Sequence, residues 1–405
     1  MRVHSIRVKN FKSLRDVQIR DMPGFVVFVG ANGTGKTTLI EVFSFLKDCL
    51  KDNARTAFDR RGGFEQVLSR GAQKNETVLI ELKIDMDFRA EDKRRIVTYS
   101  VEFAADGPKV IVERELLHWK RGSYGAPYHF IDFKRGQGMA IAESLDAFDD
   151  EIKDTDVDNR EEQALDRPDL LALKGLGQFR RFDAASQLRE LIENWTVSDF
   201  QISAGQQTPQ AAPAEHLSPL GDNLALYAQY LRDYHKDIFD DIVWAMAERV
   251  PGVSDVLTEP TGDGRVLLRF RDENFKGGFI ARLVSSGTIK MFAYLALLHD
   301  PEPHPLLCIE EPENQLYPSL MTVLAEEFAA YAEKRKGEAQ VFVTTHSPDF
   351  LNAVPLESIY WLRKEKGYTQ VERAASDQQL ADFVEEGDKP GWLWRQGLFK
   401  GANPR

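Results

Sequence analysis

Apolar and polar positions change their rhythm along the chain. Within residues 1–133 most apolar stretches are short and β-like: Val3 to Val8, Val17 to Ile19, FVVFV at 25–29, then TVLIELKIDMDF, RRIVTYSVEFA and KVIVERELLHW. Such runs predict strands. One segment, TLIEVFSFLKDCL just after FVVFV, predicts a helix. The last three strands follow one another without a helix between them, which predicts an antiparallel sheet beside the strand and helix near residue 30.

From about 167 to 250 apolar residues recur every three or four positions, in QLRELIENW and in NLALYAQYLRDYHKDIFDDIVWAMAERV, with a polar, Pro- and Ala-rich linker QQTPQAAPAE between. VSDVLTEPTGDGRVLLRFRD reads as a hairpin turning at Gly262-Asp263-Gly264. The remainder alternates helix and strand: IKMFAYLALLH, LLCIE, LMTVLAEEFAAYAEKR, AQVFVTT, SPDFLNAV. That alternation predicts a parallel sheet covered by helices. The chain therefore divides into a mixed lobe (1–133), an acidic linker with a helical lid (134–250), and a second α/β lobe (251–405). Residues 143–166 hold eleven acids against two bases, and are expected to be a solvated, partly disordered excursion.

Composition narrows the class. A chain of 405 residues outgrows a single core, and 42% hydrophobic with 29% charged residues is the balance of a globular protein. No run approaches the roughly 20 apolar residues of a membrane span, and MRVHSIRVKNFKSLRD has no signal-peptide core, so a cytoplasmic place and no membrane partner are expected. Cys49 and Cys308 sit in apolar settings, which predicts reduced core thiols and no cysteine metal site. A net charge of −12 argues against broad nucleic-acid binding but leaves room for a local patch. Arg60-Arg61, Arg94-Arg95, Lys134-Arg135 and Arg180-Arg181 are candidates, with solvated faces the plainer reading.

The strongest chemical signal follows FVVFV. Gly30-Ala31-Asn32-Gly33-Thr34-Gly35-Lys36-Thr37 matches the phosphate loop G-x-x-x-x-G-K-S/T in full and leads into the predicted helix, which also carries Thr38. Gly33 and Gly35 let the backbone bend around phosphate oxygens, and the helix N-terminus supplies N–H donors and a favourable dipole. Lys36 would bridge the β- and γ-phosphates of a nucleotide, and the Thr37 hydroxyl would ligate Mg²⁺. Such a loop needs an acid-bearing strand, and LLCIEEPENQLYP provides one. Glu310, at the strand's end, would steady the metal; Glu311, one residue farther out, would polarise the attacking water. Acids preceding a helix near Pro318 are the bland alternative. In VFVTTHSPDF, Ser347-Pro348 caps a helix and puts His346 at another strand tip, suited to a γ-phosphate contact.

These elements in this order resemble the ABC-type ATPases, and more narrowly their RecF/SMC-like branch. There, an apolar strand, Asp-Glu-Pro, three residues and Leu-Asp-Pro form the Walker B strand and D-loop; the register falls here on Glu310-Glu311-Pro312 and Leu316-Tyr317-Pro318. LVSSGTIKMFAYLALL looks like the family signature, with Ser285, Ser286 and Gly287 opening a helix, although Ser-Ser-Gly alone is also an ordinary cap. IRVKNFKSLRDV resembles the opening strand, which implies a place for Lys12 near the nucleotide, and Gln66 is the candidate Q-loop residue and metal ligand, or else a surface polar residue. The resemblance implies an α/β P-loop head without long coiled-coil arms. It also implies ATP and Mg²⁺ as cofactors, and a homodimer or higher oligomer with each signature clasping the other subunit's γ-phosphate. Tyr317 departs from the family's Asp or His, and Glu310 from its Asp. Relatives of this build imply work on DNA, in repair or antiphage defence, or beside a co-encoded effector such as a nuclease. A transporter's nucleotide-binding subunit and an ATP-locked structural oligomer are the alternatives.

Overall fold

The computed structural model describes residues 2–88, 93–119, 128–141, 160–275, 277–335 and 337–401. Two large sheets organise the mixed α/β fold. The first has eight strands, every neighbouring pair antiparallel, in the order β2-β1-β4-β5-β6-β7-β8-β9. Its strands are β1 (Arg2–Phe11), β2 (Leu14–Ile19), β4 (Val78–Phe88), β5 (Lys93–Asp106), β6 (Lys109–Trp119), β7 (Tyr128–Lys134), β8 (Gln137–Ile141) and β9 (Arg160–Ala164). The expected run of consecutive strands is thus the middle of a larger sheet.

The second sheet, in the order β10-β14-β15-β3-β16-β17, is parallel except for its last strand. It comprises β3 (Phe25–Val29), β10 (Thr196–Ser198), β14 (Leu306–Glu310), β15 (Gln340–Thr345), β16 (Ile359–Glu365) and β17 (Tyr368–Arg373). Its central strands are apolar on both faces, as a sheet covered on both sides requires. Val26 and Phe28 of β3, Leu306 and Cys308 of β14, Phe342 of β15 and Tyr360 and Leu362 of β16 face one core. Their alternate neighbours, among them Val27, Ile309, Val343 and Trp361, face another.

The first core lies between the two sheets and takes in α1 (Lys36–Lys51), α2 (Ala54–Asp59), α3 (Phe64–Val67), α4 (Ala172–Leu176) and α5 (Asp183–Glu193). The second contains α7 (Leu224–Tyr234), α8 (Lys236–Arg249), α9 (Ser286–Leu298) and α10 (Pro318–Lys334). Shorter α6 (Ile202–Gly205), α11 (Pro348–Leu351), α12 (Gln378–Glu385) and α13 (Pro390–Arg395) complete the helices. The hairpin of β11 (Val253–Pro260) and β12 (Val266–Asp272) forms as expected, and β13 (Phe279–Ile280) extends it.

One side chain ties the two sheets together. Gln340 is fully buried; its Oε1 accepts from Val3 N at 2.6 Å, and its Nε2 donates to Val3 O at 3.0 Å and Pro23 O at 3.1 Å.

Residues 134–250 are distributed differently from the expected linker and lid. β8 and β9 extend the antiparallel sheet, β10 joins the parallel one, and the helices divide between the two cores. Residues 160–164 of the acidic stretch are a paired strand at the sheet's edge, where β8 satisfies the backbone N–H and C=O groups that face it. Residues 142–159 lie outside the described ones.

Candidate nucleotide site

β14, β15 and β3 lie side by side and parallel, so their C-terminal ends share one edge; Glu310, Thr344 and Phe28 sit level across it. In open parallel sheets this edge is where ligands bind.

The phosphate loop carries β3 into α1. Gly33 and Gly35 have φ of 77° and 103°. At Gly35 a Cβ would stand 2.3 Å from Thr369 Oγ1 and 2.8 Å from Ser13 Oγ, so both conformation and space require glycine. The Thr34 hydroxyl donates to Ala31 O at 2.8 Å, and Thr34 O accepts from the Thr369 hydroxyl at 2.8 Å. Lys36 is buried and donates from Nζ to Gly30 O at 2.8 Å and Ala31 O at 3.3 Å. Burial pushes its pKa down, while the carboxylates of Glu311, Glu313 and Glu310 pull it back up. The first turn of α1 carries no acid of its own, so its N-terminus can favour an anion. Asn32 and Gly33 are exposed at the loop tip, with Thr37 exposed and Thr38 half-buried on the helix's first turn.

Carboxylates gather opposite the loop. Burial raises the pKa of Glu310; the Thr37 hydroxyl, hydrogen-bonded to it, lowers it, and the charges of Asp199, Glu311 and Glu41 raise it again. A half-buried carboxylate beside a hydroxyl, among other acids, is a hard-oxygen set that suits Mg²⁺. Glu311 leaves the strand at φ 40°, a left-handed conformation costing roughly 1–2 kcal/mol for a residue with a side chain. Its N–H still donates to Thr344 O at 2.9 Å, and its Oε2 accepts from Asn314 Nδ2 at 3.2 Å. The strained turn separates the two neighbouring glutamates in direction.

His346 Nδ1 lies 3.6 Å from Glu311 Oε1 and 3.4 Å from Glu313 Oε1. Glu313 is buried, and its Oε1 also accepts from Thr345 Oγ1 and His346 N, each at 2.8 Å. The third acid of the EEPE run thus holds the strand tip that carries His346.

The Ser285-Ser286-Gly287 segment, expected to be the signature, opens α9. Ser285 caps it, accepting from Thr288 N at 3.2 Å, and Ser286 and Gly287 form the first turn. Gly287 lies against the D-loop of the same chain, where a Cβ would stand 3.2 Å from Gln315 O. Lys290, buried in that helix, donates to Asn314 O at 2.9 Å. A cleft of 540 Å³ opens among Asp199, Gln201, Ser286, Lys290, Asn314 and Gln315. Tyr317 is 73% exposed, so most of its ring faces outward.

Lys12 turns to Glu41 on α1, with Nζ 2.6 Å from Oε1, and Glu41 also takes Arg61 at 3.1 Å. Lys12 N donates to Val67 O at 2.6 Å, which sets the α3 segment beside it, yet the side chain of Gln66 is exposed. The basic pairs are largely engaged by neighbouring acids: Arg60 and Arg61 by Asp48, Asp52 and Glu41, Lys134 and Arg135 by Glu113, and Arg181 by Glu161. The side chains of Arg94 and Arg95 fall outside the described residues.

Sequence reasoning overlooked Asp199, Glu313, Lys290, Ser13 and Thr369. Asp199 follows β10, whose Ser198 pairs with Ile309, and so stands beside Glu310. Glu313 had a signal of its own, a third acid two residues past Glu311 in the same turn.

Residues 25–352 match the family described as "AAA domain, putative AbiEii toxin, Type IV TA system". The DNA replication and repair protein RecF of Heliobacterium modesticaldum is 26% identical over 144 residues, 34% of this chain and 38% of that protein. RecF of Lactococcus lactis is 26% identical over 147 residues, 35% of this chain and 40% of that protein. The chain thus spans about two-fifths of the length of these curated relatives. Among solved structures, an Smc head bound to the C-terminal winged-helix domain of ScpA superposes with a TM-score of 0.54 at 14% identity, over 92% of this chain and 97% of the other. The Pyrococcus furiosus Smc head with an extended coiled coil, bound to the C-terminal domain of ScpA, gives 0.55 at 13%, over 95% and 99%. At these identities the likeness shows the fold, a RecF/SMC-like ABC-type head. Among the described residues no helix is long and apolar enough to cross a membrane.

Proposed function

Since the chain belongs to that AAA-domain family, we propose that it binds and hydrolyses ATP and that two copies close around the bound nucleotide. The observation that carries this reading is the paired glutamates at the end of β14, facing the phosphate loop and turned apart at Glu311. The loop's backbone N–H groups and Lys36 would hold the phosphates; Asn32, Thr34 and Thr38 would line the same cradle. Thr37 and Glu310 would hold Mg²⁺, with Gln66 reaching it only if α3 moves inward. The metal ion would supply charge neutralisation for the transferred phosphoryl group. Glu311 would orient and deprotonate the attacking water, while His346, steadied by Glu313, would contact the γ-phosphate. Lys12 would act from the rim through its pairing with Glu41.

In the dimer, Ser285, Ser286 and Gly287 would meet the partner copy's nucleotide, and the exposed Tyr317 ring would lie in the joint. ATP binding would favour assembly, and hydrolysis would release it. We place this switch in DNA-related work, in repair or antiphage defence with a partner effector; the resemblance to RecF supports DNA as the cue. The experiment is sizing of Glu311→Gln by light scattering with and without Mg-ATP, with DNA added in a second arm. A shift to a dimer on ATP is expected. A monomer in every condition would sink the sandwich, and wild-type turnover indifferent to DNA would remove DNA from the reading.

A further inference from the structure

At the opposite pole of the parallel sheet, three side chains from two separate segments converge. Asp300 and His304 belong to the loop joining α9 to β14, and His216 comes from the stretch between α6 and α7. One nitrogen from each imidazole and one Asp300 oxygen lie within 4.8 Å of one another. His216 Nδ1 is 3.1 Å, and His304 Nε2 4.0 Å, from Asp300 Oδ2.

The hydrogen bonds leave one ring nitrogen of this cluster without a partner, in a pocket that Lys47 also lines. Asp300 is 2% exposed; Oδ1 accepts from Glu302 N at 2.8 Å, and among the described residues its ion-pairing partners are the two imidazoles. His304 Nδ1 lies 3.2 Å from Asn194 O, a carbonyl that can only accept, so the proton sits on Nδ1. Nε2 of the neutral ring is then a bare lone pair. It is buried, it has no hydrogen-bond partner, and it faces a carboxylate oxygen, another acceptor. A backbone carbonyl that fixes the tautomer and leaves the other nitrogen free is the usual support behind a metal-binding histidine.

We propose that His216, Asp300 and His304 bind a divalent transition-metal ion of the Zn²⁺ type. Two imidazoles and one carboxylate suit Zn²⁺, whereas Mg²⁺ and Ca²⁺ favour oxygen alone, so this site is chemically distinct from the one at Glu310. Water or Glu302, whose Oε2 is 3.7 Å from His216 Nε2, would complete the coordination. Leu306 to Glu310 is four steps along β14, so about 13 Å separates this end from the glutamate end at a rise of roughly 3.3 Å per residue. The ion would clamp the segment carrying His216 to the loop that connects the signature helix to the Walker B strand. Asn223 Nδ2 already holds His216 O at 2.9 Å, so the ligand is presented from a fixed turn.

The test uses the full chain, stripped by chelator and titrated with Zn²⁺ by calorimetry in excess Mg²⁺, with thermal unfolding followed in parallel. One Zn²⁺ per chain and a raised Tm are expected. His216→Ala and His304→Ala should each weaken binding by more than the roughly 10–100-fold that losing an outer partner costs, and should abolish the Tm rise. A His118→Ala/His129→Ala variant, altering the imidazole pair on β6 and β7, should bind like the parent. If His304→Ala does not fold, the half-exposed His216 decides through His216→Ala. No uptake by the parent chain, or equal affinity in His216→Ala, would overturn the proposal.

Discussion

The two large sheets bury similar kinds of side chain and do different work. In the antiparallel sheet successive strands end at opposite edges, so no single edge collects strand tips. In the parallel sheet β10, β14, β15 and β3 all end together, and Asp199, Glu310, Glu311, His346 and the phosphate loop come off one edge. Each sheet also buries a carboxylate. Glu115 of the antiparallel sheet accepts from Tyr99 Oη at 2.9 Å and from Ala172 N and Leu173 N at 2.5 and 2.9 Å, joining β5 and β6 to the start of α4. Glu313 of the parallel sheet holds a strand tip that faces the loop. Direction of the strands, more than composition, decides whether a buried acid braces the core or a strand tip at the shared edge.

The largest expected effect tests the parallel edge. Glu311→Gln should lower ATP turnover by about 10²–10⁴-fold while nucleotide affinity, measured by calorimetry, stays near the parent's. Retained turnover would strip this edge of its assigned role. The antiparallel sheet is tested by pH. Burial, against its three hydrogen bonds, pushes the Glu115 pKa up from 4.5 to about 7. The folded state therefore holds this proton more tightly than the unfolded chain. The resulting stabilisation is fully present below pH 4.5 and is lost as pH rises through 7, a change of about 3 kcal/mol. Urea unfolding at pH 4.5 and pH 8 should show it, and Glu115→Gln should flatten the difference.

Cutting the tie between the sheets is expected to cost about 2–3 kcal/mol, since Gln340→Ala removes three buried hydrogen bonds worth roughly 1 kcal/mol each. Denaturation followed separately by tryptophan fluorescence and far-UV circular dichroism should then show the transitions drawing apart. Coincident transitions at the parent's midpoint would mean that the cores, and not this amide, couple the sheets. The smallest effect is assigned to Thr369→Val. Loss of the hydroxyl contact to Thr34 O should weaken ATP binding by about tenfold, equivalent to roughly 1.4 kcal/mol, within the range for one buried polar contact.

The contiguous pieces of the parallel sheet were legible because their parts follow one another without interruption: FVVFV, the phosphate loop and α1 within 25–51, or LLCI and its glutamates within 306–311. What escaped was assembled over distance. β10 is three residues, too short for any period to register, yet it delivers Asp199. The hairpins β7–β8 and β16–β17 turn on Arg135-Gly136 and Lys366-Gly367, with both residues of each pair at positive φ. Such two-residue turns are usually recognised as Asn-Gly or Asp-Gly, and a basic residue in the first place conceals them. A Gly flanked by alternating apolar positions was the available signal. Thr369, on the second of these hairpins, could be connected to Thr34 only through the fold.

That last contact has a consequence for the order in which the protein is made. The ribosome delivers the phosphate loop, the glutamates and His346 well before Thr369. Through residue 346 the nascent chain holds every motif but not the hydroxyl that braces Thr34, nor β16, whose Leu362 O packs against Gly30. Full bracing of the phosphate loop is thereby deferred until synthesis has passed β17, with α12 and α13 still to follow.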